Sequence, residues 1–180
     1  MINVLLFCLT AFYGYIANST GLLSESIDDF GDAVTYALSL YVVYKSEQMK
    51  ARVAFIKGCF ILLGAIFVIL KVIQHILDST IPIFETMGLV GLIALLLNLT
   101  CLFLLTRHRD EDINMSSVWE FSRNDIFNNL SIILAALLVW ITNLGWADTL
   151  VGLILSIFLI KSSFKVLKSA YREMTKINLS

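Results

Sequence analysis

The sequence predicts an all-α integral membrane protein, a bundle of six transmembrane helices with both termini in the cytoplasm, and three observations carry that expectation. The 180 residues are 58% hydrophobic, contain one proline and have a mean hydropathy of +0.85, more apolar side chain than a soluble core of this size can hide. The apolar residues fall into six runs of roughly 20 residues, the length that crosses a hydrocarbon layer of about 30 Å. The basic residues gather in alternate gaps between those runs, and such loops stay on the cytoplasmic side.

Helices are expected near 2–18, 22–44, 52–77, 84–106, 115–142 and 147–168. The first is short, since the polar group Asn18-Ser19-Thr20 closes it early, which implies a truncated start or a shallow helix. No basic stretch precedes it and no small-residue cleavage site follows, so it is expected to remain as a helix and not to be removed as a signal peptide. The connections are tight, as between antiparallel neighbours in a bundle, and no linker or second domain is visible. Lys45, Lys50, Arg52 and Lys57 follow helix two, Arg107 and Arg109 follow helix four, and Lys161, Lys165, Lys168, Arg172 and Lys176 lie in or after helix six. The opposite gaps hold Asp78, Glu85 and Asp148 without Lys or Arg. Cys8, Cys59 and Cys101 are odd in number, far apart and set in apolar runs, a pattern of lipid-facing or packing residues instead of a disulfide framework or thiolate cluster. Gly58 and Gly64 in helix three, with Gly88 and Gly91 in helix four, permit close helix packing. Lys71 is expected to snorkel to the headgroups. His75 and His108 lie near helix ends and are expected at the surface.

Helix two also carries Glu25, Asp28, Asp29 and Asp32. A carboxylate inside a bilayer costs several kcal/mol unless it meets water, a cation or a proton. At 100° per residue Asp28 and Asp32 share a face, with Glu25 a turn earlier on the same side. Asp29 points away by roughly a quarter of a circumference, and a structural role, such as pairing with a neighbouring helix, is expected of it. Helix five repeats the spacing with Asp125 and Asn129, and Ser122 precedes them by about a turn; Arg123 projects from roughly the opposite face. Oxygen ligands converging from two helices suit a divalent cation, with Asp28, Asp32, Asp125 and Asn129 as its ligands and Glu25 as an accessory. The bland alternative is a wet vestibule in which these acids are solvated or cap helix ends.

Two stretches resemble the transmembrane part of the cation diffusion facilitator family of divalent-metal/proton antiporters. Leu22-Leu23-Ser24-Glu25-Ser26-Ile27-Asp28-Asp29-Phe30-Gly31-Asp32 is similar to that family's second-helix pattern, and the run from Ile113 to Asn129 is similar to the fifth-helix pattern of a compact bacterial branch. The resemblance spans about Thr10 to Ala170. It implies proton-coupled efflux of a divalent metal by alternating access, no enzymatic activity, and no prosthetic group. The partners implied are the lipid bilayer and a homodimer formed through the membrane helices, with no nucleic acid, and the location implied is a bacterial inner membrane. Members commonly place His in one of the two pairs and Asp at the last position, whereas this chain has no His there and ends in Asn129. Among Zn, Mn, Fe, Co, Ni and Cd, oxygen-only donors favour Mn or Fe. The cytoplasmic domain that many members carry is not expected here. The rival readings are a non-transporting membrane subunit or metal sensor that keeps the fold, and an intramembrane aspartyl enzyme using Asp28 or Asp32 with Asp125.

Overall fold

The computed structural model describes residues 2–42, 47–106 and 113–177; Lys45, Arg107, His108 and Arg109 lie outside them, as do the side chains of 113–122, Ser122 included, and of Lys176. Among the described residues six helices follow one another: α1 (Ile2–Ile16), α2 (Thr20–Val42), α3 (Glu47–Asp78), α4 (Phe84–Thr106), α5 (Ile113–Thr142) and α6 (Trp146–Ile177). Against the expected bounds, α3 starts at Glu47 instead of 52 and α6 runs on to Ile177 instead of 168. Both extensions are stretches rich in charged residues, which continue a helix readily but drop out of an apolar window. Among the described residues, Gln48–Asp78, Phe84–Leu104, Arg123–Thr142 and Trp146–Thr175 are long and apolar enough to cross a membrane. The apolar α1 is shorter, at 15 residues, and α2 has 23 residues but carries four acids.

The outside of the bundle carries many large apolar side chains. Phe103 is 80% exposed and Leu63 64%, with Leu70, Leu96, Phe158 and Phe164 similarly bare. A patch of that extent is unstable in water and at home in lipid. Tyr13, Tyr15, Trp140 and Trp146 are exposed at the end of the bundle where α1, α3 and α5 finish, a band suited to a headgroup layer. Each of those three helices ends on a left-handed residue, Asn18, Ser79 and Asn143, with φ of 49°, 49° and 52°, the conformation that closes a helix.

α2 is the hub. It packs against α1, α3, α5 and α6, and every residue from Ser19 to Ser26 is buried. Its first turn is held by two devices. Ser19 Oγ accepts from Leu22 N at 3.1 Å, the usual side-chain cap. Asp148, from the first turn of α6, accepts from Ser19 Oγ at 2.7 Å, Thr20 N at 2.7 Å, Thr20 Oγ1 at 3.0 Å and Gly21 N at 3.0 Å. Asp148 is fully buried. It satisfies donors that a helix start leaves open.

Below that cap α2 and α6 nearly touch. Ser24 Oγ donates to Gly152 O at 3.0 Å and lies 2.9 Å from Ser156 Oγ. A Cβ on Gly152 would overlap the Thr20 side chain and come within 2.8 Å of the Thr20 carbonyl carbon. The backbone cannot give way cheaply, so Gly152→Ala is expected to cost about 1–3 kcal/mol, read as a lower melting temperature of the detergent-solubilised protein. The packing expectation for the other glycines also finds contacts. A Cβ would meet Ile27 at 2.7 Å from Gly64 and Leu167 at 2.9 Å from Gly58, whereas at Gly91 it would meet Ile133 at 3.1 Å and at Gly88 only Ala136 at 3.8 Å. The free cysteines are exposed (Cys8) or half-buried (Cys59, Cys101). Lys71 donates to Gln74 at the surface. His75 corrects the expectation of a surface residue: only 5% of it is exposed, because α3 turns it inward at its last turn.

Candidate metal site

The acids of α2 divide between two faces, as helical spacing requires. Asp29 turns to α1, where it accepts from Thr10 Oγ1 at 3.0 Å while Thr10 also donates to Leu6 O at 2.8 Å. Glu25, Asp28 and Asp32 turn the other way and, with Asp125 of α5, line a cavity of about 410 Å³ between α2, α5 and α6. Ser24, Asn124 and Asn128 add polar wall. Leu155, Phe158, Leu159 and Ser162 of α6 close the other side. Carboxyl groups from two helices are thus brought to one space inside a membrane bundle.

Two asparagines hold them, each bonding a different acid. Asn128 Nδ2 donates to Asp28 Oδ2 at 3.1 Å. Asn129 Nδ2 donates to Glu25 Oε1 at 2.8 Å and to the Asp125 carbonyl at 2.8 Å. Asp32 lies 3.5 Å from Asn3 Nδ2, a long contact from α1. Asn129 is wholly buried and is not among the residues that line the cavity; it stands behind the wall, with its amide turned to Glu25. Arg123 is exposed.

Two buried oxygens in this cluster, Glu25 Oε2 and Asn129 Oδ1, have no hydrogen-bond donor. Unsatisfied buried acceptors are uncommon, and beside a carboxylate-lined cavity they mark a place where a cation or proton would be welcomed. Among the described residues, no three His, Cys, Asp or Glu side chains converge closely enough to form a finished cage. The acids face the cavity from its walls, so a bound dication would draw them inward or keep part of its water.

Sequence spacing found Asp28, Asp32, Asp125 and Glu25, and the structure brings all four to one cavity. It missed Asn124 and Asn128, which also sit four apart on α5, one residue before the Asp125–Asn129 pair. The run Asn124-Asp125 followed by Asn128-Asn129 offered two overlapping pairs, and only the packing of α5 against α2 distinguishes their orientation.

Residues 1–175 match the cation efflux transmembrane domain. Similar curated proteins include the cadmium, cobalt and zinc/H(+)-K(+) antiporter of Bacillus subtilis (strain 168), 24% identical over 179 residues that cover 90% of this chain and 57% of that protein. The zinc transporter ZitB of Yersinia pestis is 20% identical over 188 residues, covering 96% of this chain and 60% of its own length. The chain therefore spans little more than half the length of these relatives. A match across nearly all of its helices establishes that the chain belongs to the cation efflux family, the cation diffusion facilitators, which are transporters and not enzymes.

Proposed function

We propose that the chain is a divalent-metal transporter whose cargo binds in the α2–α5–α6 cavity, with Asp28, Asp32 and Asp125 as carboxylate ligands, Glu25 as an accessory, and Asn129 as a ligand or the group that sets Glu25. The observation that carries this reading is the convergence of these four acids on one cavity between membrane helices. All six helices cross the bilayer, both termini lie in the cytoplasm, and a homodimer forms through the membrane helices. The host membrane is a bacterial inner membrane. Metal is exchanged for protons as the helix groups rock and open the cavity to each side in turn. A pH unit supplies about 1.4 kcal/mol per proton, and a potential of 100 mV about 2.3 kcal/mol per charge. The names of the relatives point to zinc, cadmium and cobalt, and the oxygen-only donor set to manganese or iron.

Metal-dependent proton flux in proteoliposomes tests the reading, run with both sets of ions. Wild type is expected to carry flux with at least one of them and Asp32→Ala with none; equal flux in both proteins would remove Asp32 from the mechanism. Because metal and proton share the carboxylates, apparent metal affinity is expected to fall on acidification, by about tenfold per pH unit for each proton displaced. Calorimetric titration across a pH series reads this slope, and a flat profile excludes exchange at these groups. Asp29→Asn is expected to leave metal affinity within about threefold of wild type, since Asp29 faces Thr10 on α1 and Asn keeps an acceptor there. A large loss of affinity in that variant would put Asp29 in the site.

A further inference from the structure

Lys57 stands in an apolar stretch of α3, between Val53-Ala54-Phe55-Ile56 and Gly58-Cys59-Phe60-Ile61, inside the span Gln48–Asp78. An ammonium at that depth is costly unless something answers its charge. It is half-buried, and Nζ donates to Thr35 Oγ1 on α2, whose hydroxyl donates in turn to Gly31 O at 2.7 Å. Thr35 follows Asp32 by about one turn. Asp32 and Asp28 stand three and seven residues before Thr35, on the same face of α2, and are two of the three α2 acids that line the cavity. Lys57 itself does not line it. The cation is therefore held on the α3 side of α2, through Thr35 about one turn from Asp32, and leaves the cavity open to a cargo.

Resting on the reading of that cavity as a cation site, we propose that Lys57 is its built-in counter-cation, which offsets the charge of Asp32 and Asp28 when no dication is present and opposes retention of the dication once it has entered. A transporter needs both effects. An empty cavity with several unbalanced carboxylates would be strained in a low-dielectric medium, and one that balanced its cargo completely would not let go. The four-carbon stem and point charge of lysine suit the task, since a flexible stem leaves the position of Nζ adjustable.

The test compares Lys57→Met with Lys57→Arg in the full chain, by calorimetric titration with Zn²⁺ and Mn²⁺ and by thermal unfolding without metal. Lys57→Met is expected to bind the ion that wild type binds about tenfold more tightly, to turn over more slowly in proteoliposomes, and to melt lower when metal-free. Adding Asp32→Asn should restore the metal-free melting temperature, a coupling that loss of packing at Lys57 would not produce. Lys57→Arg should behave like wild type. Unchanged or weakened metal binding in Lys57→Met, or a melting loss that Asp32→Asn leaves uncorrected, overturns the proposal. If no protein binds metal while the Lys57–Asp32 coupling persists, the charge pairing stands and the metal-transport reading falls.

Discussion

Asp28→Ala is expected to weaken metal binding by about 100-fold or more and to abolish metal-dependent flux. Even groups that only orient a metal ligand are worth 10- to 100-fold, and a carboxylate that faces the cavity directly should be worth at least as much. The hydrogen bond from Asn128 to Asp28 Oδ2 supplies the matched control. Asn128→Ala keeps the carboxylate but frees its orientation, so an intermediate loss, on the order of tenfold, is expected. Titration with the transported ion checks both. If Asn128→Ala equals Asp28→Ala in effect, Asn128 touches the ion itself; if Asp28→Ala binds normally, the cavity is not the metal site.

The second large effect belongs to Asp148 and to stability. Replacing it by Ala removes the acceptor of two hydroxyls and two backbone amides at the buried start of α2. All four donors are buried and would lose their acceptor, so the loss is expected to be about 3 kcal/mol or more. Ser19→Ala, which removes the local cap and one of the hydroxyls, should cost about 1 kcal/mol. Thermal unfolding of the solubilised proteins measures both. Equal, small changes would mean that the α2–α6 junction is held by packing alone. Since Asp148 binds the first turn of α2, about two turns before Asp28 and three before Asp32, whatever fraction of Asp148→Ala folds should keep its metal affinity, which separates a fold defect from a site defect.

The two acids were legible to different degrees. Asp28 and Asp32 announced themselves because a carboxylate inside an apolar run is costly and a four-residue interval selects one helix face. Asp148 gave no such signal. It follows Trp146 and Ala147 at a helix start, where an acid is ordinary, and its partners stand more than 120 residues earlier. His75 was misjudged for a related reason: nearness to a helix end in sequence does not say which way the last turn faces. At α5 the spacing marked Asp125 and Asn129 as a pair, whereas the fold sets Asp125 on the cavity and Asn129 behind it, bonded to Glu25.

The sequence by itself determined the helical membrane character, the number of helices and the faces of α2 on which its acids lie, because these depend on hydropathy, length and a fixed rotation per residue. Only the tertiary structure decided what those faces meet. The cavity shared by α2, α5 and α6, the trans-cap from Asp148, the asparagines that hold Asp28 and Glu25, and the approach of Lys57 all depend on the azimuth at which one helix packs against another. That azimuth is set by close contacts such as Thr20 on Gly152 and Ile27 on Gly64, which no periodicity within a single helix encodes.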